Sequence, residues 1–173
     1  DCLLTGNAAN SGGGAYALPG AVVRDCLIVG NEARIAGGGA LIHAGAWIQD
    51  CSIASNTALH GGGVELYEAG MATDCLIEDN TASTMGGGVV FYSGTTGLML
   101  NCVIRNNTVT NIGGNGGGGS IQFAGTVSNC WISGNRVTAT NGNGGGVFMS
   151  NQGGSVSGRL VNVVLNGNWA GER

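Results

Sequence analysis

The sequence predicts an all-β solenoid, a right-handed parallel β-helix of about seven coils with three short strands per coil. Two observations carry that expectation. Cysteines fall at 2, 26, 51, 75, 102 and 130, spaced by 24, 25, 24, 27 and 28 residues, and Val163 takes the same slot in a seventh unit. Five residues after each of these stands an asparagine: Asn7, Asn31, Asn56, Asn80, Asn107, Asn135 and Asn168. Self-similarity at such a period marks units that cannot bury an apolar face alone and do so by stacking.

Each element of the unit has a physical reason. Asp or Asn precedes the cysteine slot (Asp25, Asp50, Asp74, Asn101), as a turn column should. The cysteine and the Leu or Ile two residues later (Ile28, Ile53, Ile77, Ile104) alternate with period two, so they fill a strand's inner face. Stacked asparagines can pass amide hydrogen bonds from coil to coil, satisfying backbone groups at a buried bend. A small residue follows (Ala33, Ala58, Ala82, Val109), then a glycine triplet at 12–14, 37–39, 61–63, 86–88, 117–119 and 144–146. An apolar alternation such as Val89-Val90-Phe91-Tyr92 gives the next strand, and a glycine turn leads to a third, such as Ala46-Trp47-Ile48-Gln49. The Val23…Asn31 spacing also fits a leucine-rich repeat. That fold needs a helix-like outer segment, which three consecutive glycines oppose at about 1 kcal/mol each.

The composition narrows function. With 36 glycines but no fixed three-residue period, collagen is excluded. Charged residues make up 9%, too few for a disordered chain. Net charge is −4, with six scattered arginines and no lysine, so no basic footprint for nucleic acid exists. No apolar run approaches the roughly 18 residues of a membrane span. Residues 1–173 are expected to be one β-helix segment, uncapped at both ends, belonging to a longer chain or to a subunit that stacks.

The run DCLIVGNEARIAGGGALIHAG and its relatives DCSIASNTALHGGGVELYEAG and NCWISGNRVTATNGNGGGVFMS resemble the repeats of large bacterial surface and secreted β-helix proteins. Among these are the polymorphic outer-membrane-protein-like repeats, which combine a Gly-Gly motif with an x-x-Asn motif. The resemblance implies export, and a role in adhesion, cell-surface architecture or polysaccharide contact.

Chemistry-bearing residues form no evident catalytic set. Glycosidases need two carboxylates on one groove, and Glu32, Glu65, Glu68, Glu78 and Asp79 are dispersed along the chain. His43 is expected in an ordinary surface position, with an acid–base pairing to Glu65 or Glu68 across neighbouring coils as the alternative. Glu78 and Arg105 share a slot in adjacent coils and predict a lateral ion pair worth at most about 1 kcal/mol. One cysteine per coil is unlike the close pairs of zinc sites, so the cysteines are expected to stack inward as thiols. The Asp column reads as a turn ladder rather than a calcium site. No metal and no cofactor is expected.

Outward slots carry the remaining expectation. After the triplet they hold Tyr16, Leu41, Glu65, Val90, Ile121 and Phe148, then Leu18, His43, Tyr67, Tyr92 and Phe123, and in the third segment Val22, Trp47, Met71 and Leu98. Broad apolar surface marks an interaction site. The predicted binding or assembly surface is Tyr16, Leu41, Trp47, Tyr67, Val90, Tyr92, Ile121, Phe123 and Phe148. The function expected is a non-enzymatic extracellular or cell-surface structural or adhesive β-helix, with other copies of itself as partners through apolar sides or open ends. The alternative is a polysaccharide-binding or polysaccharide-cleaving β-helix of the pectate-lyase kind. Insertions at 110–116, 138–143 and 151–157 are expected to project as loops.

Overall fold

The computed structural model describes residues 2–92, 97–151 and 158–171 and contains strands and turns throughout. The chain winds as a parallel β-solenoid of about six turns. The expectation of three strands per coil is corrected to four. Two sheets have seven strands and two have six, each built from equivalent segments of successive coils. The first sheet stacks Cys26–Val29, Ser52–Ala54, Leu76–Glu78, Val103–Arg105 and their equivalents. The second stacks Glu32–Ala36, Thr57–His60 and Thr81–Met85. The third stacks Ala40–Ile42, Val64–Tyr67 and Val89–Tyr92, and the fourth Trp47–Gln49, Met71–Thr73 and Gly97–Leu100.

Columns of left-handed residues at the corners set this shape. Asp25, Asp50, Asp74, Asn101, Asn129 and Asn162 all have φ between 51° and 55° and turn the fourth sheet into the first. Asp and Asn tolerate that region best among residues with a side chain. The bend expected at the asparagines is present, and a left-handed column just before each ladder asparagine makes it. Gly6, Gly30, Ser55, Asp79, Asn106, Gly134 and Gly167 have φ of 54° to 65°, and the strand missed from sequence follows this corner, in the stretch before the glycine triplet.

The asparagines form one ladder inside that corner. Asn31, Asn56, Asn80, Asn107 and Asn135 are buried. Asn80 Oδ1 accepts from the backbone N–H of Asn56 at 2.9 Å and from its Nδ2 at 3.0 Å, while Asn80 Nδ2 donates to the Ile53 carbonyl at 2.9 Å. The same pattern links Asn7 to Asn168 without a break.

The core holds the expected Ile column together with Leu66, Phe91 and Met99 from the third and fourth sheets. Cys26, Cys51, Cys75, Cys102 and Cys130 are buried in it and Cys2 is exposed; all six are free thiols. Each buried Sγ sits 3.0 to 3.2 Å from the carbonyl two residues earlier, a contact that uses the S–H. Phe91 is accommodated by glycine: a Cβ on Gly125 would lie 2.5 Å from its ring.

The second sheet bulges outward as a small lobe with its own filling, separate from the main core: Ala82, Val109 and Val137. The lobe closes because a Cβ on the middle glycine of a triplet would strike backbone; on Gly87 it would be 2.7 Å from Thr108. The insertions at 110–116 and 138–143 enlarge this lobe in two coils, and valine replaces alanine as its filling. Their tips do project, with Ile112 77% exposed. Contrary to the expectation of free loops, they also stack: Gly113 N–H donates to the Thr140 carbonyl at 3.0 Å, and Asn115 bridges Asn143. Of the third insertion, 152–157 lie outside the described residues.

The four-glycine run 116–119 resolves a register left ambiguous by sequence. Gly116 has the left-handed φ of Gly86, and Gly119 pairs with Val89. The fifth triplet is therefore 116–118. Ile121 pairs with Phe91 and faces the core, fully buried, and Ser120 takes the outward slot instead. Ile121 is thus removed from the predicted surface.

Candidate functional site

The lobe of the second sheet and the outer face of the third sheet meet at an angle and form a groove. It has a volume of about 360 Å³ and is lined by Ser11, Ile35, Ala36 and His60 from the lobe, and by Tyr16, Leu41, His43, Glu65, Tyr67 and Tyr92 from the third sheet. Four predicted surface residues, Tyr16, Leu41, Tyr67 and Tyr92, come together here. Val90 is an outward neighbour of Glu65 but fully buried under the groove, and Leu41 is nearly so. Phe148 is half-buried beside Ser120, and Trp47 lies apart on the fourth sheet, 40% exposed.

One wall is a strip of rings from successive coils. Tyr16 and His43 have centroids 5.2 Å apart, His43 and Tyr67 4.9 Å, Tyr67 and Tyr92 6.3 Å, and Tyr92 and Phe123 6.2 Å. The parallel register repeats a residue every coil, about 4.8 Å along the axis, so His43, Tyr67 and Tyr92, which share one slot, lie ring beside ring; Tyr16 reaches in from the Leu41 slot, and Phe123, one residue beyond that slot, meets Tyr92 edge-on. Tyr16 Oη and His43 Nε2 are 2.8 Å apart, which ties the first two rings together.

Glu65 lies on the floor. It pairs in register with Leu41 on one side and Val90 on the other, so its carboxyl is flanked by hydrocarbon. Its Oε2 is fully buried without a hydrogen-bond partner. Burial raises its pKa from 4.5 to about 7. Near neutrality a large share of the molecules therefore carry a protonated carboxyl there, a donor rather than a charge.

His60 stands opposite, on the lobe. It was not singled out from sequence, because its column, the residue before each glycine triplet, holds Ser11, Ala36, His60 and Met85, which share no residue type. Its ring stacks on Tyr92 at 6.3 Å. Thr84 Oγ1 donates to the Leu59 carbonyl at 2.9 Å, so the 2.8 Å contact between that oxygen and His60 Nδ1 must use an Nδ1–H. Burial lowers the His60 pKa, so the neutral ring presents an acceptor Nε2. The groove thus offers stacking faces, a donor carboxyl and an acceptor imidazole.

Other predicted residues lie elsewhere. Arg105 and Glu78 form the expected lateral ion pair, Nη2 to Oε2 at 2.6 Å, on the first sheet. Glu68 is exposed at a left-handed turn rather than in the groove. Of the alternative set His43, Glu65 and Glu68, His43 and Glu65 share the groove and Glu68 does not, while His60 lines it as well.

A family model for the right-handed beta helix region matches residues 1–169. The chain belongs to the right-handed β-helix family. No curated protein and no solved structure matches it. In this β-helix the groove uses sheets that the repeat builds in every coil, but its ring-bearing and titratable residues are confined to the first five coils.

Proposed function

We propose that this chain is an extracellular or cell-surface β-helix that binds polysaccharide along the groove between the lobe and the third sheet. The observation that carries the reading is the strip from Tyr16 to Phe123 beside the buried Glu65 carboxyl. Pyranose rings offer C–H faces to aromatic rings and hydroxyls to a groove floor, and a solenoid repeats both along its axis. Right-handed β-helices include both structural and polysaccharide-active proteins, and bacterial surface repeats of the kind resembled here fit such a role. The reading is binding rather than hydrolysis: among the described residues lining the groove, Glu65 is the single carboxylate, and hydrolysis takes two.

The test is calorimetric titration with a panel of neutral and uronate-bearing oligosaccharides, comparing the parent with Tyr67→Ala and Tyr92→Ala. Stacking worth about 1 kcal/mol or more per ring predicts roughly fivefold or more weaker binding for each variant, with the fold intact by circular dichroism. Unchanged affinity in both folded variants, or no binding to any of the panel, overturns the proposal. A second reading, a structural or adhesive protein joining copies of itself, is favoured by the apolar outer faces of the first and fourth sheets, where Trp131 and Trp47 stand exposed.

A further inference from the structure

The outer face of the first sheet carries a column absent from the predicted surface. Leu27, Ser52, Leu76, Val103, Trp131 and Val164 occupy one slot of successive coils in continuous parallel register. Trp131 is 50% exposed, and Leu27, Val103 and Val164 between 36% and 48%. Two residues on, the same strands carry an adjacent outward column that includes Ala54, Glu78, Arg105 and Ser133.

We propose that this face is the interface of a homodimer, with the two-fold axis running parallel to the strands midway between Leu76 and Val103. Such an axis maps each coil onto its opposite number and keeps position along the strand. Leu76 then meets Val103 of the second copy, and Leu27 meets Val164. The bulkiest member of the column, Trp131, falls opposite the smallest, Ser52. In the adjacent column Glu78 of each copy faces Arg105 of the other, so the two intrachain ion pairs join into an alternating four-charge cluster. Moving the axis by half a coil spacing places Glu78 against Glu78 or Arg105 against Arg105. An axis along the solenoid sets Trp131 against Trp131. The register proposed is the one of these that satisfies both size and charge.

An isologous contact of this kind closes on itself. Six of the seven strands overlap, the one bearing Leu3 lying beyond the contact, so the face is about 24 Å long and about 10 Å wide from three residues, small beside stable complexes. The dimer is therefore weak and concentration-dependent, and it leaves the groove open because its residues are on another sheet.

The test uses sedimentation across a wide concentration range and cross-linking in a Cys2→Ser background, since Cys2 is exposed. Facing sheets lie about 10 Å apart, so a bis-maleimide of similar reach is used. In the proposed register Ala54 faces Ser133 of the second copy. A mixture of Ala54→Cys and Ser133→Cys proteins should cross-link to each other, and neither to itself. Glu78→Arg alone and Ser52→Trp should each shift the dimerisation midpoint at least tenfold, and Glu78→Arg with Arg105→Glu should restore it, with thermal midpoints confirming folded monomers. Self-cross-linking of Ala54→Cys, a folded Ser52→Trp variant that dimerises normally, or a chain that sediments as a monomer at every concentration overturns the proposal.

Discussion

Replacing Asn80 by alanine probes the asparagine ladder where it is fully buried. Four hydrogen bonds disappear: two accepted by Oδ1 from Asn56, and two donated by Nδ2, to the Ile53 carbonyl and to Asn107 Oδ1. Not all four partners are orphaned. Asn56 Nδ2 keeps the Ile28 carbonyl, and Asn107 Oδ1 keeps the Asn80 backbone N–H. The Asn56 backbone N–H loses its side-chain acceptor, and the Ile53 carbonyl loses its amide donor. At about 1–3 kcal/mol for each of these two buried groups, the loss is about 2–6 kcal/mol. Asn7 sits at the exposed start of the column and donates to Asn31 Oδ1. There Asn7→Ala should cost less than about 1 kcal/mol, because water replaces the amide. Urea unfolding followed by circular dichroism reads both values, with equal slopes confirming that the same unit unfolds. An Asn80→Ala variant no less stable than Asn7→Ala would refute the view that the ladder supports the corner.

Other perturbations test other parts. Glu65→Gln should remove a pH dependence: the raised folded pKa makes Glu65 lower stability as pH rises from 4.5 through about 7, by at most about 3 kcal/mol. The variant should therefore match the parent at pH 4 and exceed it at pH 8 in denaturant titrations. Gly125→Ala, whose methyl would meet the Phe91 ring at 2.5 Å, should destabilise by about 1–3 kcal/mol, with much of the loss recovered in a Phe91→Leu background. Alkylation of the unreduced, unfolded protein followed by mass measurement should find six modified cysteines; three disulfides would contradict the thiol column.

Much of this fold was legible because six or seven copies of each slot average out local ambiguity. The asparagine ladder, the inward cysteines and the Glu78–Arg105 pair all follow from column membership alone. The fourth strand was not legible, because the stretch between the asparagine bend and the triplet, as in Thr81–Met85, is small and polar and shows no apolar alternation. Ile121 was misplaced because four consecutive glycines permit two registers and only packing around Phe91 selects one. The groove was half legible. Its tyrosines were assigned to the outer face, but columns do not show that the lobe folds beside them. His60 stands in the column just before the triplet, whose other members Ser11, Ala36 and Met85 gave no sign of a site, and Glu65 is buried by Leu41 and Val90, two residues assigned to open surface. The Trp131 column escaped attention because it alternates with the conspicuous cysteine and isoleucine columns.

The central claim, that the groove holds a sugar chain, is tested most directly by a crystal structure with the tightest-binding oligosaccharide from the panel. The account predicts sugar rings stacked on Tyr67 and Tyr92, with hydroxyls within hydrogen-bond distance of Glu65 and of His60 Nε2. A ligand seated on any other face, with the groove occupied by water alone, would contradict it.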